Sequence, residues 1–267
     1  MLVASDRSEL GRSSSSLRKG VVFALGALLV LSLSFYFLLC LQRTERSANL
    51  LDFRVRGSLA AKYPIHKFHI EEISSEKPRA YLIHDFLSED ECDELVRNGE
   101  ESLERSKVVG GKPGNDLVDN GRTSYGTWLH NYNGGAVIDG IHRRIASLLN
   151  IPRSHGEAIY LLRYRVEEEY KAHYDYFSPN ALEDNPGGQR LATIIMYLCD
   201  TEEGGETYFP NADIKVRTKK GYALLFYNLS PEGYPDPSTL HQSLPVVKGT
   251  KWAATRWIRE SPSKAIL

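Results

Sequence analysis

The sequence predicts a mainly β domain, a sandwich with helices packed on one sheet, carried behind an N-terminal membrane-spanning helix. Three observations predict it. An uncharged apolar run lies near the start, two amphipathic helical patterns precede residue 152, and β-branched and aromatic runs follow it. Helices first and strands afterwards is the order expected when helices cover one face of a sandwich.

The apolar run, residues 21–41, is 21 residues without a charge. At about 1.5 Å per residue it spans roughly 30 Å, the thickness of a bilayer's hydrocarbon core. It is longer than a signal-peptide core and no small-residue cleavage site follows it. It also lacks the polar face of a buried amphipathic helix. These features predict an uncleaved signal-anchor. Arg7, Arg12, Arg18 and Lys19 precede the run, and Arg43, Arg46, Arg54 and Arg56 follow it, so positive charge does not set the orientation. The short leader and the large following domain favour a cytosolic tail (1–20) and a lumenal domain. Residues 42–78 read as a polar stem, 79–260 as the globular domain and 261–267 as a tail.

Within the domain, residues 80–83 read as a first strand. Ser88 and Glu91 form a capping box, and Cys92, Leu95, Val96, Gly99 and Leu103 recur at helical spacing behind it. Ile138, Ile141, Ile145, Leu148 and Leu149 mark a second helix that stops before Pro152. The Gly-, Asn- and Asp-rich residues 106–121 between them are either an active-site lid or a solvent loop. Residues 159–164, 190–198, 223–227 and 252–258 are the strand-like runs, separated by turn-forming residues.

Composition excludes some functions. The 267 residues are 42% hydrophobic and 25% charged, as in ordinary globular proteins, and a net charge of -1 leaves no electrostatic footprint for nucleic acid. Cys40 lies in the apolar run, while Cys92 and Cys199 suggest neither a disulfide framework nor a zinc site and are expected to be buried apolar residues.

Chemistry concentrates at His173-Tyr174-Asp175. On a strand, residues two apart face the same side, so both side chains can reach one ion. A third ligand must come from elsewhere, and His241 is the candidate. Two His and one carboxylate leave open positions on Fe(II) for co-substrate and dioxygen, whereas zinc would more often draw on Cys or a third His. Alone, His-x-Asp is a weak pattern. His66, His69, His84, His130, His142 and His155 read as surface or structural residues.

The context strengthens it. Tyr170-Lys171-Ala172-His173-Tyr174-Asp175-Tyr176-Phe177, Gly187-Gly188-Gln189-Arg190-Leu191-Ala192-Thr193 with Met196-Tyr197-Leu198, and Gly204-Gly205-Glu206-Thr207-Tyr208-Phe209-Pro210 occur in order. Lys219-Lys220-Gly221-Tyr222 with Ala223-Leu224-Leu225-Phe226, and the stretch from Leu240-His241 through Lys251-Trp252, complete the series; Arg122-Thr123-Ser124-Tyr125-Gly126-Thr127 lies upstream. These blocks resemble the prolyl 4-hydroxylase family, particularly its plant type, over about residues 79–260.

The resemblance implies a double-stranded β-helix (jelly roll) with supporting helices. It implies His173, Asp175 and His241 as ligands of Fe(II), with 2-oxoglutarate, O2 and ascorbate completing the chemistry. Lys251 takes the position that grips the far carboxylate of 2-oxoglutarate, which fits the cost of burying a carboxylate without a cation. Thr193 and Tyr197 are further candidates for hydrogen-bonding that carboxylate, and Trp257 matches a buried Trp near the co-substrate. Tyr170 and Arg190 match residues near the peptide. The implied reaction hydroxylates peptidyl proline to 4-hydroxyproline while 2-oxoglutarate is decarboxylated to succinate. The implied partner is a proline-rich polypeptide, met at the endoplasmic reticulum or Golgi membrane.

The sequence departs from the family in places. Glu167-Glu168-Glu169 replaces a Gly-containing turn before the first His, Leu244 stands where many relatives carry Cys, and Asn228-Leu229-Ser230 is a sequon followed by Pro231. Two alternatives stay open: a related hydroxylase of another residue, which would more often carry Arg in place of Lys251, and a non-catalytic membrane-tethered peptide-binding module.

Overall fold

A computed structural model of the chain describes residues 68–108, 117–129, 131–183, 185 and 187–262. The expected membrane span, the tail ahead of it, most of the stem and the centre of the 106–121 loop lie outside these residues. Among the described residues no helix is long and apolar enough to cross a membrane.

Two sheets carry the fold. The larger has eight antiparallel strands in the order β1 (Ile70–Ser74), β2 (Ala80–Ile83), β13 (Ala223–Tyr227), β9 (Arg190–Tyr197), β16 (Lys251–Arg259), β7 (Ile159–Tyr164), β6 (Tyr125–Leu129) and β3 (Glu104–Arg105). The smaller has four, in the order β12 (Ile214–Val216), β11 (Thr207–Phe209), β14 (His241–Ser243) and β8 (Tyr170–His173). Two short pairs, β4 (Lys107–Val108) with β5 (Leu117–Val118) and β10 (Glu203–Gly204) with β15 (Val246–Lys248), complete it. Ala80, Tyr197, Leu224 and Phe226 of the large sheet share one buried cluster with Phe209 and Val216 of the small one. The inner faces therefore pack on each other, as in a jelly roll.

The other face of the large sheet is covered by helices. Its central strands are thus buried on both sides and read as unbroken apolar runs, such as Ala-Leu-Leu-Phe-Tyr in β13. Helix α1 (Glu89–Gly99) starts at the predicted capping box: Ser88 Oγ accepts from the Glu91 amide, and Glu91 Oε2 accepts from the Ser88 amide. It buries Cys92 and Leu95 and ends at Gly99, short of Leu103. A Cβ on Gly99 would sit 2.5 Å from Leu161 Cδ2 of β7 and 2.9 Å from Thr127 Cγ2 of β6, so the missing side chain lets the helix lie on the sheet. Helix α2 (Asn131–Leu149), interrupted at Gly135, buries Ile138, Ile141 and Ile145 as their spacing predicts. A short helix α3 (Pro179–Glu183) follows the metal motif.

Two further sequence expectations change. The sheet begins ahead of residue 79, because Ile70–Ser74, expected as stem, pairs with β2 as an edge strand. Its only partly apolar sequence, Ile-Glu-Glu-Ile-Ser, suits an edge exposed to water and hides it from a hydrophobicity search. Cys92 and Cys199 are both unpaired; Cys92 is buried as expected, but Cys199 is half-buried, its Sγ 3.1 Å from the Trp252 amide. Asn228 is fully buried with its amide nitrogen donating to Thr193 Oγ1, so in the folded protein it cannot accept a glycan.

Candidate active site

Strands β8 and β14 are antiparallel neighbours, and their register sets His173 directly opposite His241. Asp175 follows two residues after His173. One ligand atom from each of the three lies within 4.8 Å of the others. His173 Nε2 and His241 Nε2 are each 3.7 Å from a different oxygen of Asp175. Both His rings are oriented from behind: Nδ1 of His173 bonds to the Lys171 carbonyl at 2.8 Å, and Nδ1 of His241 to the Thr239 carbonyl at 3.0 Å. That pairing puts the proton on Nδ1 and turns the Nε2 lone pair inward, the tautomer a metal requires.

The electrostatics agree. Burial, then the neighbouring His241, push His173 down to about 3, so its ring is neutral near pH 7. Burial pushes the Asp175 carboxyl up, but His241, His173, Arg190 and the Thr193 hydroxyl outweigh it and hold the carboxyl at about 2. Two imidazoles and one carboxylate are the donor set of a non-haem Fe(II) centre, and the arrangement fits that ion.

Behind the triad lies a narrow inner cavity between the sheets. Lys251, the first residue of β16 and only 2% exposed, lines it together with the triad. Lys251 Nζ donates to Ser243 Oγ at 2.7 Å and stands 5.2 Å from the centre of the Tyr164 ring. Among the described residues no carboxylate forms an ion pair with it, and burial pushes it down to about 7. Two more buried donors on the same walls, Trp257 Nε1 and Arg122 Nε, have no partner among the described residues. A cavity with a buried amine and unsatisfied donors suits an anionic ligand, and a dicarboxylate running from the triad to Lys251 would meet both ends.

A cleft of about 720 Å³ shares Arg122, Tyr170, Asp175 and Trp257 with the inner cavity and is walled further by Trp128, Tyr160, Tyr174, Tyr176 and Arg190 among others. Tyr170 stands between cleft and metal site. Its ring stacks on His173 at 3.6 Å between centres, with the Arg122 guanidinium 4.6 Å from the same ring, and burial pushes its hydroxyl up to about 12.

Several predicted residues take other posts. Thr193 does not face Lys251: its hydroxyl donates to Asp175 Oδ2 at 2.7 Å, so its one proton is committed to the metal ligand. Tyr197 is fully buried; its hydroxyl donates to Thr207 Oγ1 at 2.9 Å, and its ring centre stands 6.0 Å from Lys251 Nζ. Arg190 lines the cleft, but its Nε and Nη2 both bond Glu157 at 2.8 Å, and its guanidinium caps the Trp257 ring at 4.1 Å. Burial pushes Glu157 up, yet Arg190 and Arg259 outweigh that and hold it below the usual carboxylate range. Trp257 lines both spaces.

Sequence reasoning did not single out Tyr164, Thr207, Ser243 and Thr255, which line the inner cavity. A period-two reading would have found half of them. Ser243 lies two residues after His241, and Thr255 lies between Lys251 and Trp257 on one face of β16. Arg122 was visible only as part of a larger motif.

Comparison with known proteins bears on this site. The family profile of the 2OG-Fe(II) oxygenase superfamily matches residues 159–259. The chain is 39% identical to probable prolyl 4-hydroxylase 10 of Arabidopsis thaliana over 207 residues, covering 70% of this chain and 71% of that protein. It is 40% identical to prolyl 4-hydroxylase 5 of the same plant over 205 residues, covering 70% of each. Among solved structures, the viral collagen prolyl hydroxylase of Paramecium Bursaria Chlorella virus-1, in its 2OG complex, is similar with a TM-score of 0.54 at 31% identity, covering 67% of this chain and 95% of that one. Identity at this level, across most of both partners, places the chain in the prolyl 4-hydroxylase family of 2OG-Fe(II) oxygenases.

Proposed function

We propose that this chain is an Fe(II)- and 2-oxoglutarate-dependent dioxygenase that converts peptidyl proline to 4-hydroxyproline in proline-rich polypeptides. The observation that carries the reading is that the buried His173-Asp175-His241 triad and the buried Lys251 amine, which has no ion-pair partner among the described residues, line one cavity that shares Tyr170, Asp175 and Trp257 with an aromatic cleft. Similarity to proteins named prolyl 4-hydroxylase supplies the residue that is hydroxylated.

His173, Asp175 and His241 would hold the iron, and Lys251 with Ser243 the far carboxylate of 2-oxoglutarate. The iron with its co-substrate supplies dioxygen activation, coupled to loss of CO2 and formation of succinate. The protein supplies geometry. The carbonyls of Lys171 and Thr239 fix the imidazole planes, and the Tyr170 ring braces His173 from the cleft side. Trp257, clamped by the Arg190–Glu157 pair, holds the wall shared by both spaces. A neutral Tyr170 and apolar rings around the triad keep water from the reacting carbon. Trp128, Tyr174 and Tyr176 offer flat faces to an extended polyproline II chain, which loses little conformational freedom when it docks.

The proposed site of action rests on the apolar run near the N-terminus. Residues 21–41 would anchor the chain in the endoplasmic reticulum or Golgi membrane with the catalytic domain lumenal, where secretory proline-rich chains pass; the uncharged length of that run supports this reading. Ascorbate would serve as reductant.

The test is succinate release by the full chain in detergent, given Fe(II), 2-oxoglutarate and ascorbate, with poly-proline and extensin-like peptides. Peptide-stimulated succinate, 4-hydroxyproline in the recovered peptide, and loss of both in His173→Ala are expected. Absence of turnover on every proline-rich peptide would refute proline as target, and full turnover by His173→Ala would refute the triad.

A further inference from the structure

The metal reading leaves one buried polar chain unused. Asn228 follows β13, Thr193 lies in β9 beside it, and Asp175 lies beyond Thr193. Asn228 Nδ2 donates to Thr193 Oγ1 at 2.9 Å, and Thr193 Oγ1 donates to Asp175 Oδ2 at 2.7 Å. Asn228 and Thr193 are 0% exposed and Asp175 is 6% exposed, so water does not substitute for either bond.

Donor chemistry gives this chain a direction. An amide nitrogen can only donate, so the Thr193 oxygen must accept from Asn228, and its single proton is left for Asp175. The opposite amide orientation would draw that proton away from Asp175. The Asn228 main chain is itself pinned: its amide donates to the Leu191 carbonyl at 2.9 Å, and its carbonyl accepts from the Asp236 amide at 2.9 Å. The side chain therefore projects from a fixed point. Its Oδ1 has no partner among the described residues. An unsatisfied buried amide oxygen costs about 1–3 kcal/mol, so packing alone would favour an apolar residue of similar size.

We infer that Asn228 and Thr193 are positioning residues for the iron ligand Asp175, a directional relay that fixes the orientation of the carboxylate through Oδ2. This rests on the dioxygenase reading for the metal alone; the peptide plays no part in it. Without the relay, the carboxylate is free to rotate about its last bond, and the ion loses part of the geometry built into the site. Loss of an outer hydrogen bond of this kind lowers metal affinity about 10–100-fold.

The experiment measures Co(II) binding to the full chain in detergent, from the ligand-field absorption of the bound ion, beside the melting temperature of the metal-free protein. Wild type that binds no Co(II) or Fe(II) would sink the dioxygenase reading itself. Given wild-type binding, Thr193→Val should bind about 10–100-fold more weakly. Thr193→Ser, which keeps the hydroxyl, should stay close to wild type. Equal affinity in Thr193→Val, or the same loss in Thr193→Ser, would overturn the relay. Should Thr193→Val fail to fold, Asn228→Leu carries the test. It should bind Co(II) several-fold more weakly at an unchanged or raised metal-free melting temperature, and wild-type affinity there would equally refute the inference.

Discussion

Replacing Lys251 with Met separates stability from co-substrate binding, because the structure predicts opposite signs for the two. Lys251 is 2% exposed, bonded to Ser243 Oγ and without an ion-pair partner among the described residues. Burial takes its amine from 10.5 to about 7. At 1.36 kcal/mol per pH unit that drop is worth roughly 5 kcal/mol. The sign follows from linkage: the folded chain binds this proton more weakly than the unfolded chain, so the amine destabilises the fold. The cost is full below pH 7, shrinks between pH 7 and 10.5, and vanishes above. Near pH 7 roughly 4 kcal/mol remains, from which about 1 kcal/mol for the Ser243 hydrogen bond is subtracted. Lys251→Met should therefore stabilise the ligand-free protein by about 3 kcal/mol at pH 7, with the gain narrowing towards pH 10. The same change leaves a 2-oxoglutarate carboxylate buried without its cation, a loss of about 3–5 kcal/mol, or more than 100-fold in affinity. Wild-type affinity should also weaken about tenfold per unit as pH rises above 7, and the variant should not follow. Urea unfolding of the ligand-free protein and anaerobic calorimetry with Mn(II) and 2-oxoglutarate read both effects. A variant less stable than wild type at pH 7, or one that binds 2-oxoglutarate equally well, would refute the assignment of Lys251 as a cation held for the co-substrate.

Two predictions concern the scaffold. Glu167 has φ of +68°, a left-handed conformation that costs a side-chain-bearing residue about 1 kcal/mol, in the turn before the metal strand. Glu167→Gly should raise stability by about 0.5–1 kcal/mol in a thermal melt, and a lower melting temperature would show that the carboxylate compensates for the strain. Gly99→Ala would drive a methyl to 2.5 Å from Leu161 Cδ2, so overpacking should outweigh the better helix propensity and cost about 1–2 kcal/mol in urea unfolding; an unchanged midpoint would mean that α1 can shift freely on the sheet.

How the sequence and the structure divide the work is clearest residue by residue. Local rules made the helices legible. The capping box at Ser88 and the isoleucines of α2 are patterns whose physics operates over a few residues, and both occur as expected. A period-two reading paired His173 with Asp175 and left His241 as the candidate third ligand, and resemblance to a family added Lys251; β8 in fact ends at His173, and Asp175 lies in the bend beyond it. What no local rule contains is the pairing of β8 with β14, which sets His173 opposite His241 across 68 residues of chain. The same holds for the hydroxyls. Thr193 and Tyr197 are both candidates from the sequence for a carboxylate at Lys251; the fold sets the Thr193 hydroxyl on Asp175, and that of Tyr197 on Thr207 with its ring 6.0 Å from Lys251 Nζ. Arg190 looked free for a peptide, but Glu157, 33 residues earlier, takes two of its nitrogens. The edge strand β1 was missed because an edge exposed to water needs little hydrophobicity, and only its partner reveals it. Residue type and spacing thus determined which atoms this protein can offer to a metal and an anion. Tertiary structure decided which of them remain available, since a buried donor belongs to whichever acceptor the packing places nearest.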